Sequence, residues 1–213
     1  MEKILKADLG PLFEAVAKRM EEQSAFMCEM DARLGDGDLG LTMKKGFAAA
    51  HEAISSLPET DLGKLLMKTG MKMASAVPST MGTLMGSGLM QAGKALAGKE
   101  AIGPEEAVLF LQGYAAGIQN RGKCSRGDRT VLDSIGAGAD AAKAALDSSA
   151  AASLSDIFAA AKQGAQNGLE ATRTMAPKFG KAAVHAAQCA GEIDQGAYAG
   201  CCLICAMADF ICA

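Results

Sequence analysis

Apolar positions recur every three or four residues through most of this 213-residue chain, and the rhythm breaks at glycine, proline and aspartate. Gly10-Pro11 is read as opening a first helix, in which Leu12, Phe13, Val16, Met20, Met27 and Met30 share a face and deliver the chain to Asp31. A second helix starts near Gly40 and carries Met43, Phe47 and Ile54 as far as Pro58. Asp61 caps a third with Leu62, Leu65, Leu66, Met73 and Val77, which Pro78 stops. A fourth covers about residues 83–97, and Pro104 opens a fifth through Leu109 and Ile118. A sixth begins at Asp128 or Thr130, a seventh at Ser153 or Ser155, and the last at Asp194 or Gly196. No stretch sustains the alternation of a strand, so essentially no sheet is expected. The pattern predicts one all-α domain over residues 1–213, an up-and-down antiparallel bundle of eight helices.

In such an array alternate loops lie at the same end. The loops over residues 31–40, 78–82, 121–129 and 174–196 are therefore expected at one rim, and these hold most of the chain's loop chemistry. The connections at 57–60, 98–101 and 147–150 fall at the other end and read as ordinary turns. The methionine-rich stretch from Met67 to Met90 reads as core filler.

The densest chemistry lies in the first loop, where Asp31, Asp36 and Asp38 stand among Gly35, Gly37 and Gly40. Carboxylates this close repel one another unless a cation sits between them, and hard divalent cations take oxygen ligands of this kind. An EF-hand would need a glutamate twelve residues along the loop. Counted from Asp31, Asp36 or Asp38, that position holds Thr42, Phe47 or Ala49. Calcium bound in that manner is excluded, and magnesium with open positions for water and phosphate is favoured. The competing reading is that Asp36 and Asp38 only cap the following helix. Residues 79–83, Ser79-Thr80-Met81-Gly82-Thr83, offer hydroxyls and N–H groups at a helix start, suited to phosphate or to a simple cap.

The run Leu34-Gly35-Asp36-Gly37-Asp38-Leu39-Gly40-Leu41-Thr42-Met43, with Asp31 ahead of it, resembles the signature of the nucleotide-binding L subunit, or L domain, of dihydroxyacetone kinases. The resemblance extends to Asn120-Arg121-Gly122-Lys123, Gly127-Asp128-Arg129-Thr130, Thr174-Met175 and Asp194-Gln195-Gly196-Ala197. It implies a helical barrel with ADP or ATP at one rim, where Asp31, Asp36 and Asp38 hold Mg2+, two ions in that family. It further implies nucleotide contacts from Leu39, Gly40, Leu41, Thr42, Ser79, Thr80, Met81, Gly82, Gly122, Val131, Lys181, Asp194, Gln195 and Gly196. In that family the ketose is held covalently by a histidine of a separate K subunit. Some members are rephosphorylated by a phosphohistidine protein of the sugar phosphotransferase system. The chain departs from the family pattern at Leu39, usually His, at Thr42, usually Asn, and at Lys181, usually Arg. Residues 78–82 replace a glycine-rich turn, and Asp194-Gln195-Gly196 stands for Asp-Pro-Gly. Two other classes share parts of the pattern: a nucleotide-sensing co-regulator that binds a protein partner without catalysis, and the nucleotide domain of a fatty-acid kinase.

Composition narrows the rest. A net charge of −3 and 4% aromatic residues give neither a basic footprint nor stacking platforms for nucleic acid. Seven cysteines with no export-type leader at the start suggest a reducing, cytoplasmic setting rather than a disulfide framework. Cys202 and Cys205, and His185 with Cys189, lack zinc-site spacing to a second pair. The apolar run 197–213 contains Asp209 and is short for a bilayer, so it reads as a core helix and no membrane span is expected.

Overall fold

Five of the helices, those starting at Leu62, Thr80, Val131, Leu154 and Gln195, begin where the apolar rhythm meets a side chain that accepts a first-turn N–H. In this computed structural model, which describes residues 1–149, 151–180, 182–184 and 189–213, α3 (Leu39–Ser56) follows Asp38. Asp61 accepts the Lys64 N–H at 2.8 Å to start α4 (Leu62–Ala76), and Ser79 accepts the Gly82 N–H at 3.1 Å to start α5 (Thr80–Ala95). Pro104 opens α6 (Pro104–Gly122), whose N–H-free first position suits the ring. Thr130 caps α7 (Val131–Ser148), Ser153 caps α8 (Leu154–Ala171), and Asp194 caps α9 (Gln195–Cys212). Each such cap is worth about 1 kcal/mol.

The first helix differs from the sequence expectation. It starts at Lys6, keeps Pro11 inside its second turn, ends at Glu22 as α1, and resumes as α2 (Ser24–Ala32). The break lies at Gln23, whose side-chain oxygen accepts a 2.7 Å bond from the Tyr198 hydroxyl, while the Tyr198 ring meets Phe26 edge-on at 5.1 Å. A contact from 175 residues away thus meets the helix at its break, and the described residues form nine α-helices instead of eight. The fourth expected helix starts at Thr80, three residues early, because Ser79 supplies the cap. A two-stranded clip also appears, β1 (Ile4–Leu5) antiparallel to β2 (Ala101–Ile102), with Ile4 opposite Ile102. Both isoleucines are buried and plug the end of the bundle away from the aspartate loop.

The helices close on themselves. α1 packs on α3, each helix from α3 to α8 packs on the next, and α9 packs on both α8 and α1. Chain direction alternates around this ring, which makes the fold an all-α, up-and-down helical barrel. The interior is filled: the void among Leu9, Phe13, Leu66, Phe110, Phe158 and Met207 amounts to about 10 Å³, too little to hold more than a single water. Met73 and Met85 are fully buried in it, as core filler should be. Among the described residues α9 is the one helix long and apolar enough to cross a membrane, yet most of it is covered by α1, α7 and α8.

Small residues set how closely the staves approach. A Cβ on Gly70 of α4 would lie 2.6 Å from the Gly86 carbonyl oxygen of α5, and one on Gly86 would lie 2.7 Å from that of Gly70. Backbone meets backbone here, so relief requires moving a helix. Gly70→Val is expected to destabilise by about 2–3 kcal/mol and lower the unfolding midpoint by roughly 5–10 °C. An unchanged midpoint in a thermal melt would refute this account of the α4–α5 contact.

Candidate functional site

Alternation of chain direction has a direct electrostatic consequence. Helices α3, α5, α7 and α9 all start at the same rim, and a cavity of about 530 Å³ opens there between residues of their first turns. Its wall takes Asp38, Leu39 and Thr42 from α3, Pro78 to Met81 and Leu84 from α5, Thr130 and Val131 from α7, and Asp194 to Gly196 from α9. Each helix start carries a partial positive charge and N–H groups directed outward, so four such ends face one space. Anions are attracted to such a place.

Against these stand the aspartates of the first loop. Asp31 is the penultimate residue of α2 and is buried, whereas Asp36 and Asp38 are exposed on the loop that follows. One carboxylate oxygen of Asp31 accepts the N–H groups of Gly37 at 2.9 Å, Asp38 at 3.1 Å and Leu39 at 3.4 Å. Those bonds bend the loop back over the end of α2 and place Asp38 next to Asp31. Gly37 allows the bend with φ +75°. Gly40 lets α3 lie against α2, since a Cβ there would stand 1.8 Å from the Ser24 carbonyl oxygen.

The result is that carboxylate oxygens of Asp31, Asp36 and Asp38 all lie within 4.8 Å of one another. Roughly 4 Å separates opposite oxygens around an octahedral magnesium ion, so small side-chain rotations suffice to hold one. Three hard oxygen donors without sulfur or imidazole suit Mg2+ and not zinc. The donor set therefore fits a magnesium ion, and the surrounding helix starts fit the phosphates such an ion would bridge.

Of the residues named from the sequence, Asp31, Asp36, Asp38, Leu39, Thr42, Ser79, Thr80, Met81, Val131, Asp194, Gln195 and Gly196 line this cavity. Gly40, Leu41, Gly82 and Gly122 are outside its lining: Gly40 packs on α2, Leu41 is 63% exposed, the Gly82 N–H is used by Ser79, and Gly122 ends α6 beside Leu84. Lys181 and His185 lie outside the described residues. The structure adds Phe179, Gly180 and Ala182 to the wall. The available signal was an aromatic residue next to a glycine, Phe179-Gly180, in a chain with 4% aromatic residues. None of the seven cysteines, all among the described residues, forms a disulfide.

Asp194 occupies the most unusual electrostatic position. Its side chain is buried, accepts the Ala197 N–H at 2.8 Å, and lies 3.7 Å from the guanidinium of Arg129. Burial outweighs the help from that N–H and from Arg129, and raises its pKa to about 6.

Comparison with known proteins places this geometry. The DAK2 domain profile matches residues 33–209. The chain is 27% identical over 175 residues to the ADP-binding subunit DhaL of the PEP-dependent dihydroxyacetone kinase of Escherichia coli K12, covering 82% of each chain. It is 26% identical over 192 residues to the corresponding subunit of PEP-dependent dihydroxyacetone kinase 2 of Listeria innocua, covering 89% of this chain and 88% of that one. The human triokinase/FMN cyclase is 28% identical over 183 residues, which make up 85% of this chain and 31% of the human protein. The fold matches the dihydroxyacetone kinase of C. freundii solved with AMP-PNP and Mg2+, with a TM-score of 0.70 at 22% identity. That match covers 95% of this chain and 34% of the other.

The raised pKa of Asp194 fixes the sign of a pH effect. The folded state holds this proton more tightly than the unfolded chain, so its stabilising contribution is complete below about pH 4 and is lost as pH rises to about 6. Relative to Asp194→Asn, which keeps a cap acceptor but does not titrate, the wild type should lose on the order of 2–3 kcal/mol across that window. Paired thermal melts at pH 4 and pH 6.5 test this. A difference between the two proteins that does not change with pH is the contrary result.

Proposed function

The chain belongs to the DAK2 domain family, and on that premise we propose that it is the ADP/ATP-binding phosphoryl-transfer subunit of a kinase for dihydroxyacetone or a related short ketose. The observation that carries the reading is the meeting, in one cavity, of three clustered aspartates with four helix starts. Carboxylates alone would repel phosphate, and helix starts alone would not hold a cation. Together they suit a magnesium–diphosphate unit, in which each part neutralises what the other cannot.

In this reading Asp31, Asp36 and Asp38 hold magnesium, in the two-ion arrangement that the family resemblance implies. Bound there, the metal supplies charge neutralisation for phosphoryl transfer. The chain's own groups do the positioning. Asp31 fixes the loop through its three N–H contacts, so that Asp36 and Asp38 are presented at the rim. The start of α5 at Ser79, Thr80 and Met81 receives phosphate oxygens, and the start of α9 at Gln195 and Gly196 closes the opposite wall. Leu39, Met81, Leu84, Val131 and Phe179 give an apolar bed for the nucleoside and keep water from the phosphates.

The wall offers aspartates, hydroxyls, one buried arginine and apolar side chains. Delivery of the ketose by a separate K subunit is what the family resemblance implies, and the likeness to relatives named as ADP-binding subunits supports it. The likeness to relatives named as ADP-binding subunits of PEP-dependent and PTS-dependent kinases supports a phosphohistidine protein of the phosphotransferase system as phosphate donor. A cytoplasmic setting accords with those partners.

Thermal unfolding with ADP or ATP tests the reading. At a hundred times its dissociation constant, a ligand that binds only the folded state adds about 2.7 kcal/mol. The midpoint should rise by roughly 5–10 °C with nucleotide plus Mg2+, and much less with nucleotide plus EDTA. Asp36→Asn should abolish the magnesium-dependent part. No shift with either nucleotide sinks the kinase reading, while a shift without transfer to any K subunit would move the assignment to a nucleotide-sensing co-regulator.

A further inference from the structure

Arg129 has features that capping and packing do not require. It is 2% exposed, sits beside the cavity, and adopts the left-handed backbone region at φ +60°, which a long side chain enters only when its surroundings hold it there. Its guanidinium reaches across to the segment between α8 and α9. Nε donates to the Thr172 carbonyl at 3.2 Å, and Nη2 donates to the carbonyls of Cys189 at 3.3 Å and Glu192 at 3.0 Å. Thr172 is the first residue after α8, and Glu192 lies two before the cap of α9. One side chain thus grips both feet of a strap whose middle residues, Phe179, Gly180 and Ala182, form a wall of the cavity.

A second grip lies on the adjacent residue. Asp128 accepts the Lys178 N–H through its carbonyl at 3.2 Å and forms an ion pair with the Lys178 ammonium, immediately before Phe179. The third nitrogen of Arg129 is a buried donor with no hydrogen-bond partner. Its nearest anion is Asp194 at 3.7 Å, beyond hydrogen-bond range. Asp194 in turn starts the helix that forms the facing wall. The guanidinium therefore joins both sides of the cavity, tightly on the strap and loosely on α9.

We propose that Arg129 is a positioning residue that sets how long the nucleotide is retained, by fastening residues 172–180 and 189–194 and the start of α9 around the cavity. The inference rests on the nucleotide-binding reading above. It does not require Arg129 to touch the ligand, since its guanidinium is sealed from solvent. A lysine keeps the charge but has one nitrogen in place of a planar fork, so it cannot hold three carbonyls and still face Asp194.

The test follows release of a fluorescent ADP analogue from its Mg2+ complex, chased with excess ADP, for wild type, Arg129→Lys and Lys178→Met, with unfolding midpoints recorded alongside. Arg129→Lys should speed release about tenfold or more, the factor corresponding to one lost charge-assisted hydrogen bond. Lys178→Met, which alters an exposed side chain, should speed it by a smaller factor with little change in midpoint. Hydrogen exchange over residues 175–180 should rise in parallel. A lower midpoint with an unchanged release rate would make Arg129 merely structural and overturn the proposal. If Arg129→Lys does not fold, an unchanged rate in Lys178→Met overturns it instead. If wild type binds no nucleotide while Asp36→Asn is equally inert, the underlying reading fails and takes this inference with it.

Discussion

The site depends on a constraint of parity. In a closed ring of antiparallel staves, every second helix must start at the same rim, and here α3, α5, α7 and α9 do so. Their positive ends would repel one another's alignment if nothing negative lay between them. The aspartate loop supplies that charge in a form that also binds a cation, so the rim can accept a phosphate chain and its metal as one unit. Closing the ring is thus what makes the site, and the filled interior and the plug formed by Ile4 and Ile102 serve it by keeping the ring shut.

Two devices bring the loops to the needed positions. Close backbone approach, as at Gly70 and Gly86, draws neighbouring staves together and narrows the rim. Buried polar side chains then fix the loops above it. Asp31 folds the metal loop, Asp133 accepts the N–H groups of Gly127 at 2.6 Å and Thr130 at 2.8 Å, and Arg129 gathers the carbonyls of the last strap. Each is a charged group whose burial would be costly without several partners. Their hydrogen-bond partners are main-chain groups of loops at the cavity, and Arg126 and Asp194 add longer ion-pair contacts to Asp133 and Arg129.

Most of this was legible in the chain because it is written locally. Asp61, Ser153 and Asp194 announce helix starts through groups three residues apart, and the apolar rhythm names the buried faces. The loop-sorting argument needed only the number of reversals of chain direction, and the split at Gln23 adds a helix without adding a reversal. What sequence could not reach was set at long range. Tyr198 meets the chain at the Gln23 break, and Arg129 ties Thr172, Cys189 and Glu192 together through bonds spanning 43 to 63 residues. The side of the loop on which a residue falls was also hidden: Leu39 and Thr42 face the cavity and Leu41 faces solvent, a matter of helical phase that begins only once Asp38 has ended the loop.

The central claim is that the carboxylates of Asp31, Asp36 and Asp38 hold a divalent ion against a nucleotide's phosphates at this rim. Anomalous diffraction from crystals grown with Mn2+ in place of Mg2+ and with ADP tests it most directly, because manganese takes the same oxygen ligands and marks its own position. The account predicts manganese peaks within coordination reach of these three carboxylates, with diphosphate density extending towards the starts of α5 and α9. Manganese bound elsewhere, or ADP bound away from the aspartate loop, would contradict it.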